Sequence, residues 1–211
     1  MTSGPSVKAL RRDAAENRER LLEAAQKIFA ERGLEACVDE VARVAGVGTG
    51  TLYRRFPTKE ALINELVRDL TGQILELARK AQGAPEGTGL ERFLYDAGDL
   101  LSANRGCLPR LWNNPDTLDI KDACRDVIAG LLVNAQEHGA IRSDASITDT
   151  DLLFWSLRGI IEATEGGVAR AGSRRHIATF LAGLRPTGEL LPEPSLDSED
   201  VLLARKTALR R

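Results

Sequence analysis

Between Val41 and Lys59 the chain carries four cations, Arg43, Arg54, Arg55 and Lys59, and no carboxylate. Thr49, Thr51 and Tyr53 are interleaved with them. A guanidinium fork matches both the guanine edge in a major groove and the oxygens of a phosphate, and a threonine methyl can meet the methyl of thymine. Hydroxyls and ammonium groups fix a protein's register on a phosphate backbone without reading sequence. These residue types therefore suit a polyanion, double-stranded DNA in particular. Taken singly they have blander uses: four cations can be a solvated helix face, and a lone tyrosine can belong to a core.

What separates those readings is the set of elements that must hold them. Val38, Val41, Ala42 and Ala45 recur at helical spacing and predict a short helix over 38–45. Gly46-Val47-Gly48 makes a tight turn, and a third helix over 49–56 turns Leu52 and Phe56 inward at i, i+4. That leaves Thr49, Thr51, Arg54 and Arg55 facing outward. Before this unit, Leu21, Leu22, Ala25, Ile28 and Phe29 mark one face of a helix from Arg12 to Arg32, closed by Gly33. After it, Pro57 ends the third helix, and Thr58 caps a long fourth helix to about Lys80 that carries Leu62, Leu66, Val67, Leu70, Ile74 and Leu77.

The rest of the chain is also helical in pattern. Helices are predicted over about 90–103, 108–112, 117–138, 148–164 and 174–184, with a Gly/Pro-rich loop at 82–90. No period-2 alternation is present, so the fold class is all-α. Past Pro186 the sequence is turn-rich up to VLLARKTALRR, which reads either as a short terminal helix or as a basic tail. The 211 residues suffice for one large or two modest domains, and 43% hydrophobic content supports a sizeable core. Residues 1–60 hold 11 Lys/Arg against 9 Asp/Glu, the remainder 18 against 22, so the positive lean sits at the N-terminal end. Three cysteines, Cys37, Cys107 and Cys124, lack metal-ligand or disulfide spacing and are expected as reduced thiols, mostly buried. Neither a metal site nor a cofactor is expected. With no spanning apolar run and no signal-peptide core, a cytoplasmic protein is expected.

The motifs AAQKIFAERGLEA, VDEVARVAGV and GTLYRRFPTKEAL, between Arg18 and about Leu66, resemble the N-terminal domain of TetR-type transcriptional regulators. The helical body resembles the second half of that family in architecture alone. Gly4 and Pro5 mark a flexible arm over 1–11, and the turn-rich stretch past Pro186 a tail over 187–211. The resemblance implies a helix-turn-helix DNA-binding domain over 12–60 and a ligand-binding and dimerisation domain over 61–186. It implies a homodimer whose recognition helix is 49–56, and a near-palindromic operator read by two heads about 34–36 Å apart. Thr49, Thr51 and Arg54 fall where the family reaches bases and phosphates, and Tyr53 and Lys59 where it meets phosphates. Arg43 and Arg55 complete the cationic set. Two positions depart from the family pattern: Gly48 and Cys37 stand where it places hydroxyl-bearing caps.

Within the body, Phe93, Trp112, Trp155 and Arg158 are candidates for a pocket taking an unidentified small-molecule effector. The aromatics serve equally as core, and Arg158 with Glu162 one turn on equally as an ion pair. Leu152, Trp155, Ile160, Ile177, Phe180, Leu181 and Leu184 are candidates for the dimer interface, unless those faces pack within one chain. The expected function is a repressor released from its operator by a ligand; a ligand-dependent activator remains open. An adaptor whose head binds protein is the competing class, and an enzyme is not expected, for the two histidines, His138 and His176, lie on separate helices with no catalytic arrangement around them.

Overall fold

The computed structural model describes residues 7–164 and 166–208. Ten α-helices follow one another: α1 (Val7–Arg32), α2 (Val38–Ala45), α3 (Thr49–Arg55), α4 (Lys59–Ala81), α5 (Gly89–Ala103), α6 (Leu108–Asn113), α7 (Leu118–Glu137), α8 (Ile147–Ala163), α9 (Gly166–Gly183) and α10 (Ser198–Ala208). Short 3-10 turns at Arg105–Cys107 and Pro115–Thr117 flank α6. No strand occurs among the described residues, in keeping with the all-α expectation.

Two cores organise the chain, and α4 runs through both. Its first half gives Leu62, Leu66, Val67 and Leu70 to a cluster with Leu21, Ile28 and Phe29 of α1, Val41 and Ala42 of α2, and Leu52 of α3. Its second half gives Leu75, Ala78 and Ala81 to a cluster with α5, α7, α8 and α9. Thr58 starts α4 by accepting from the Ala61 amide at 3.1 Å, as expected of an N-cap threonine. The first cluster is not confined to the head: Leu101, Cys107, Leu108, Leu111, Ile161 and Ala169 also belong to it.

Several elements differ from the expectation. Helix α1 begins at Val7 rather than Arg12, so the expected arm is helical from Val7 on, while its residues 1–6 lie outside the described residues. Helix α9 begins at Gly166, well before Arg174. Three glycines in GGVARAG argue against a helix on propensity. Packing overrides it: Ala169, Ser173, Ile177 and Leu181 are buried in one row at intervals of four. The approach to α5 is close enough that a methyl at Gly98 would sit 2.7 Å from Ile177. On the same contact, Asp99 accepts from Arg170 at 2.6 Å and Arg174 at 3.0 Å, which holds its carboxyl below the ordinary carboxylate range.

The C-terminal segment is fastened to the body rather than trailing from it. Asp144, gripped by buried Arg142, accepts from the Leu191 amide at 2.7 Å, and Arg142 also donates to the Glu189 carbonyl. Thr148 donates to the Leu196 carbonyl at 3.2 Å. Helix α10 then packs on α8, with Val201 buried. Residues 209–211 of the expected tail lie outside the described residues.

Candidate nucleic-acid interface and ligand cavity

The α2–α3 turn is built by backbone geometry. Gly46 adopts φ 64°, the left-handed region open to glycine, and ends α2 with a bond from its amide to Arg43 O at 3.2 Å and from Val47 N to Ala42 O at 3.0 Å. Val47 is buried beside it. Neither Cys37 nor Gly48 supplies a side-chain cap; Gly48 instead receives the Thr51 and Leu52 amides on its carbonyl at 2.9 and 3.1 Å.

Leu52 and Phe56 are buried, and this fixes which side of α3 faces water. Thr49, Arg54 and Arg55 are exposed, Thr51 is half-buried, and Tyr53 is 45% exposed. Arg43 is exposed on α2, and Lys59 is half-buried at the start of α4. Every cation of the set is therefore exposed or half-buried within one compact unit. Arg55 lies 5.9 Å from the ring centre of Phe56, within reach of a weak cation–π contact.

Two carboxylates just upstream, Asp39 and Glu40 of α2, reach into this set. Tyr53 donates its hydroxyl to Asp39 Oδ1 at 3.0 Å, and that bond raises the phenol's pKa from its ordinary value. Glu40 accepts from Arg32 at 2.7 Å and from Arg43 at 3.1 Å. The i, i+3 spacing of Glu40 and Arg43 was the available signal; the Asp39–Tyr53 pair needs the turn to bring α2 against α3.

A separate site lies in the body, a cavity of about 110 Å³. Its walls come from α4 (Thr71, Ile74), α6 (Leu111, Trp112), α7 (including Lys121 and Arg125) and α8 (including Asp151, Phe154 and Trp155). Of the four residues expected at a pocket, the structure brings Trp112 and Trp155 together here. Phe93 is fully buried, its ring 6.0 Å from that of Phe154 and behind the wall. Arg158 lies off the cavity and pairs with Glu162 at 2.8 Å. Lys121, Arg125 and Asp151, which no sequence pattern marks, join the cavity wall only because of how α7 and α8 meet. Arg125 and Asp151 pair at 3.1 Å, and Arg125 also reaches Ser198 at the start of α10.

Of the residues expected at a dimer interface, Leu152 and Trp155 are each 37% exposed, and Ile160 and Phe180 are half-buried. Ile177 and Leu181, with Leu184 just past the end of α9, are buried within the chain and belong to its own core, because that row of α9 faces α5 and α8. Val168, not among those expected residues, lies exposed near the start of α9.

Residues 21–66 match the family model of bacterial regulatory proteins of the tetR family. A TetR transcription regulatory protein of Mycobacterium vanbaalenii is 32% identical, with alignment over 84% of this chain and 99% of that one and a TM-score of 0.66. A TetR transcriptional regulator of Streptomyces coelicolor is also 32% identical, over 81% of this chain and 99% of its own, with a TM-score of 0.61. The chain belongs to the TetR family. The transcriptional repressor KstR2 of Rhodococcus jostii is 29% identical over 156 residues, 67% of this chain and 74% of that protein. As a TetR-family member the chain is a DNA-binding transcriptional regulator and not an enzyme. No helix among the described residues is long and apolar enough to cross a membrane.

Proposed function

We propose that this TetR-family chain is a repressor that acts in the cytoplasm as a homodimer and leaves a palindromic operator when a small molecule occupies the α4–α8 cavity. The observation that supports it best is the placement of α6. Leu111 and Trp112 of this short helix form part of the cavity wall, while Arg110 pairs with Glu60 of α4 at 2.9 Å. Just before it, Gly106 lies so close to α1 that a methyl there would fall 1.9 Å from the Phe29 carbonyl. Any displacement of α6 by a ligand thus acts on the two helices that carry the head. The ligand must bind the two head arrangements with different affinity, since equal affinity shifts no equilibrium.

On this reading α3 enters the major groove, with Arg54, Thr49 and Thr51 toward base edges. Arg43, Arg55, Tyr53 and Lys59 hold phosphates. Phosphate oxygens then compete with Glu40 and Asp39 for Arg43 and Tyr53. The pairing surface is the outer side of α8 and α9, with Leu152, Trp155, Ile160, Val168 and Phe180. A two-fold axis there buries apolar side chains that one chain leaves in water.

The test is fluorescence-anisotropy titration of the full chain against the duplex upstream of its own gene, with an unrelated duplex and a salt series. Specific binding about a thousandfold tighter than to the unrelated duplex, falling steeply with salt, is the expected result. Absence of binding to any duplex at low salt overturns the reading and favours a protein-binding head.

A further inference from the structure

The cavity is apolar over most of its wall, yet its polar groups are unequally served. Thr71 donates to Val67 O and Thr150 to Ile147 O, each at 2.7 Å, so both hydroxyls are satisfied by their own helices. Arg125 and Asp151 serve each other. The indole N–H of Trp112 is different. Among the described residues it is the one buried side-chain nitrogen or oxygen that has no hydrogen-bond partner. A buried donor left without an acceptor loses its hydration and gains nothing in return, and native structures hold few such groups. Trp112 itself lines the cavity, so a small shift of the ring would let an acceptor from outside the chain meet this N–H.

Charge narrows what that acceptor is. The cavity wall holds two cations, Lys121 and Arg125, against one carboxylate, Asp151. Lys121 lies close to the indole's own residue, with its ammonium 3.5 Å from the Trp112 carbonyl and 3.4 Å from that of Asn114. Size narrows it further: at about 110 Å³ the cavity is smaller than the roughly 150 Å³ of an apolar protein cavity that accepts one benzene ring, so a body larger than a single ring is excluded. Phe154, Trp155, Ile74 and Leu111 supply flat or aliphatic walls for a body within that limit.

We infer that the cavity takes a small carboxylic acid with a single-ring or short aliphatic body, its carboxylate accepting from Trp112 Nε1–H at the Lys121 side. This rests on the reading of the cavity as the effector site and names the chemical class of the effector. An N–H to carboxylate bond is charge-assisted and stronger than one to a neutral acceptor, so the anion is selected over uncharged molecules of the same shape.

The experiment titrates the full chain, without DNA, with benzoate, toluene and benzamidinium, three flat molecules of similar size that differ in charge. Intrinsic fluorescence reports on the site, because the chain's two tryptophans, Trp112 and Trp155, both line the cavity. Benzoate is expected to bind roughly tenfold or more tighter than toluene, and benzamidinium weakest. Trp112→Phe, which keeps the apolar wall and leaves Trp155 as reporter, is expected to weaken benzoate roughly tenfold and leave toluene unchanged. Lys121→Met is expected to weaken benzoate alone. Equal affinity for benzoate and toluene, preference for the cation, equal loss of both ligands in Trp112→Phe, or no binding by any of the three overturns the inference. Operator binding measured separately keeps the two readings apart: DNA binding without carboxylate preference removes only this one, and benzoate binding without DNA binding removes only the repressor.

Discussion

The head around α2 and α3 and the body around α7 and α8 use the same residue types to opposite ends. In the head, small apolar side chains close a core under a glycine turn, and arginines, threonines and a tyrosine are left standing in water. In the body, long helices meet imperfectly, and arginine, lysine and tryptophan turn toward the gap they leave. A surface for a partner much larger than the domain needs rigidity beneath and exposure above. A site for a small molecule needs a defect in packing, with its polar groups at fixed places. The joint between the two is tight, at Gly106 against α1, so the regions are not mechanically independent.

The largest test of that joint is Gly106→Val. With a Cβ 1.9 Å from the Phe29 carbonyl, α1 and the turn before α6 must separate. Overpacking of this kind costs about 3 kcal/mol, and thermal denaturation should show a fall of roughly 6–12 °C. A stability equal to that of the native chain would mean that head and body are already loosely coupled. Next, Arg54→Ala should weaken operator binding by about 1–3 kcal/mol and relax preference at one base position, with the melting temperature unmoved. If the melting temperature falls with it, Arg54 is part of the head's scaffold and the contrast between the regions is blunted.

The body's outer fastening gives a pH test. Arg142 and the Leu191 amide hold the Asp144 carboxyl at about 2, below its ordinary 3.8. A depressed carboxylate stabilises the folded chain above the unfolded pKa, and the effect is lost as pH falls through the folded one. Proteolysis of the segment after Leu184 should therefore be slow above about pH 4 and accelerate toward about pH 2. Asp144→Asn should be cut quickly throughout, and a native chain whose cutting rate is flat across this window would remove Asp144 as the fastening. The smallest effect belongs to the head: Gly48→Ser should add only a few tenths of a kcal/mol by supplying the cap that α3 lacks. A gain larger than about 1 kcal/mol in chemical denaturation would show the head to be less well stabilised by its core than its burial implies.

Legibility followed the same division. Helices α2 and α3 fall where the spacing of Val38, Val41, Ala42, Ala45 and Leu52 puts them, with α3 ending one residue early at Arg55. Local contacts between residues a few positions apart build that unit, and local pattern is what a sequence displays. In the body the pattern told less. Ile177, Leu181 and Leu184 carry an apolar face that the sequence cannot assign to a partner or to the chain's own α5 and α8. The start of α9 was hidden by glycines whose cost only the packing of Ala169 and Ser173 offsets. Phe93 and Trp112 are both aromatic residues on short apolar runs, yet one fills the core and the other edges a cavity.

The sequence by itself determined the all-helical class, the turn at Gly46 and the outward direction of Thr49, Thr51, Arg54 and Arg55. Each depends on periodicity or on a backbone conformation only glycine takes easily. Tertiary structure alone decided that Asp39 and Glu40 hold Tyr53 and Arg43, that Gly106 locks the head to the body, and that one indole N–H is buried without an acceptor. Those facts depend on where separate helices meet, and a meeting point is set by the sum of all the side chains between them.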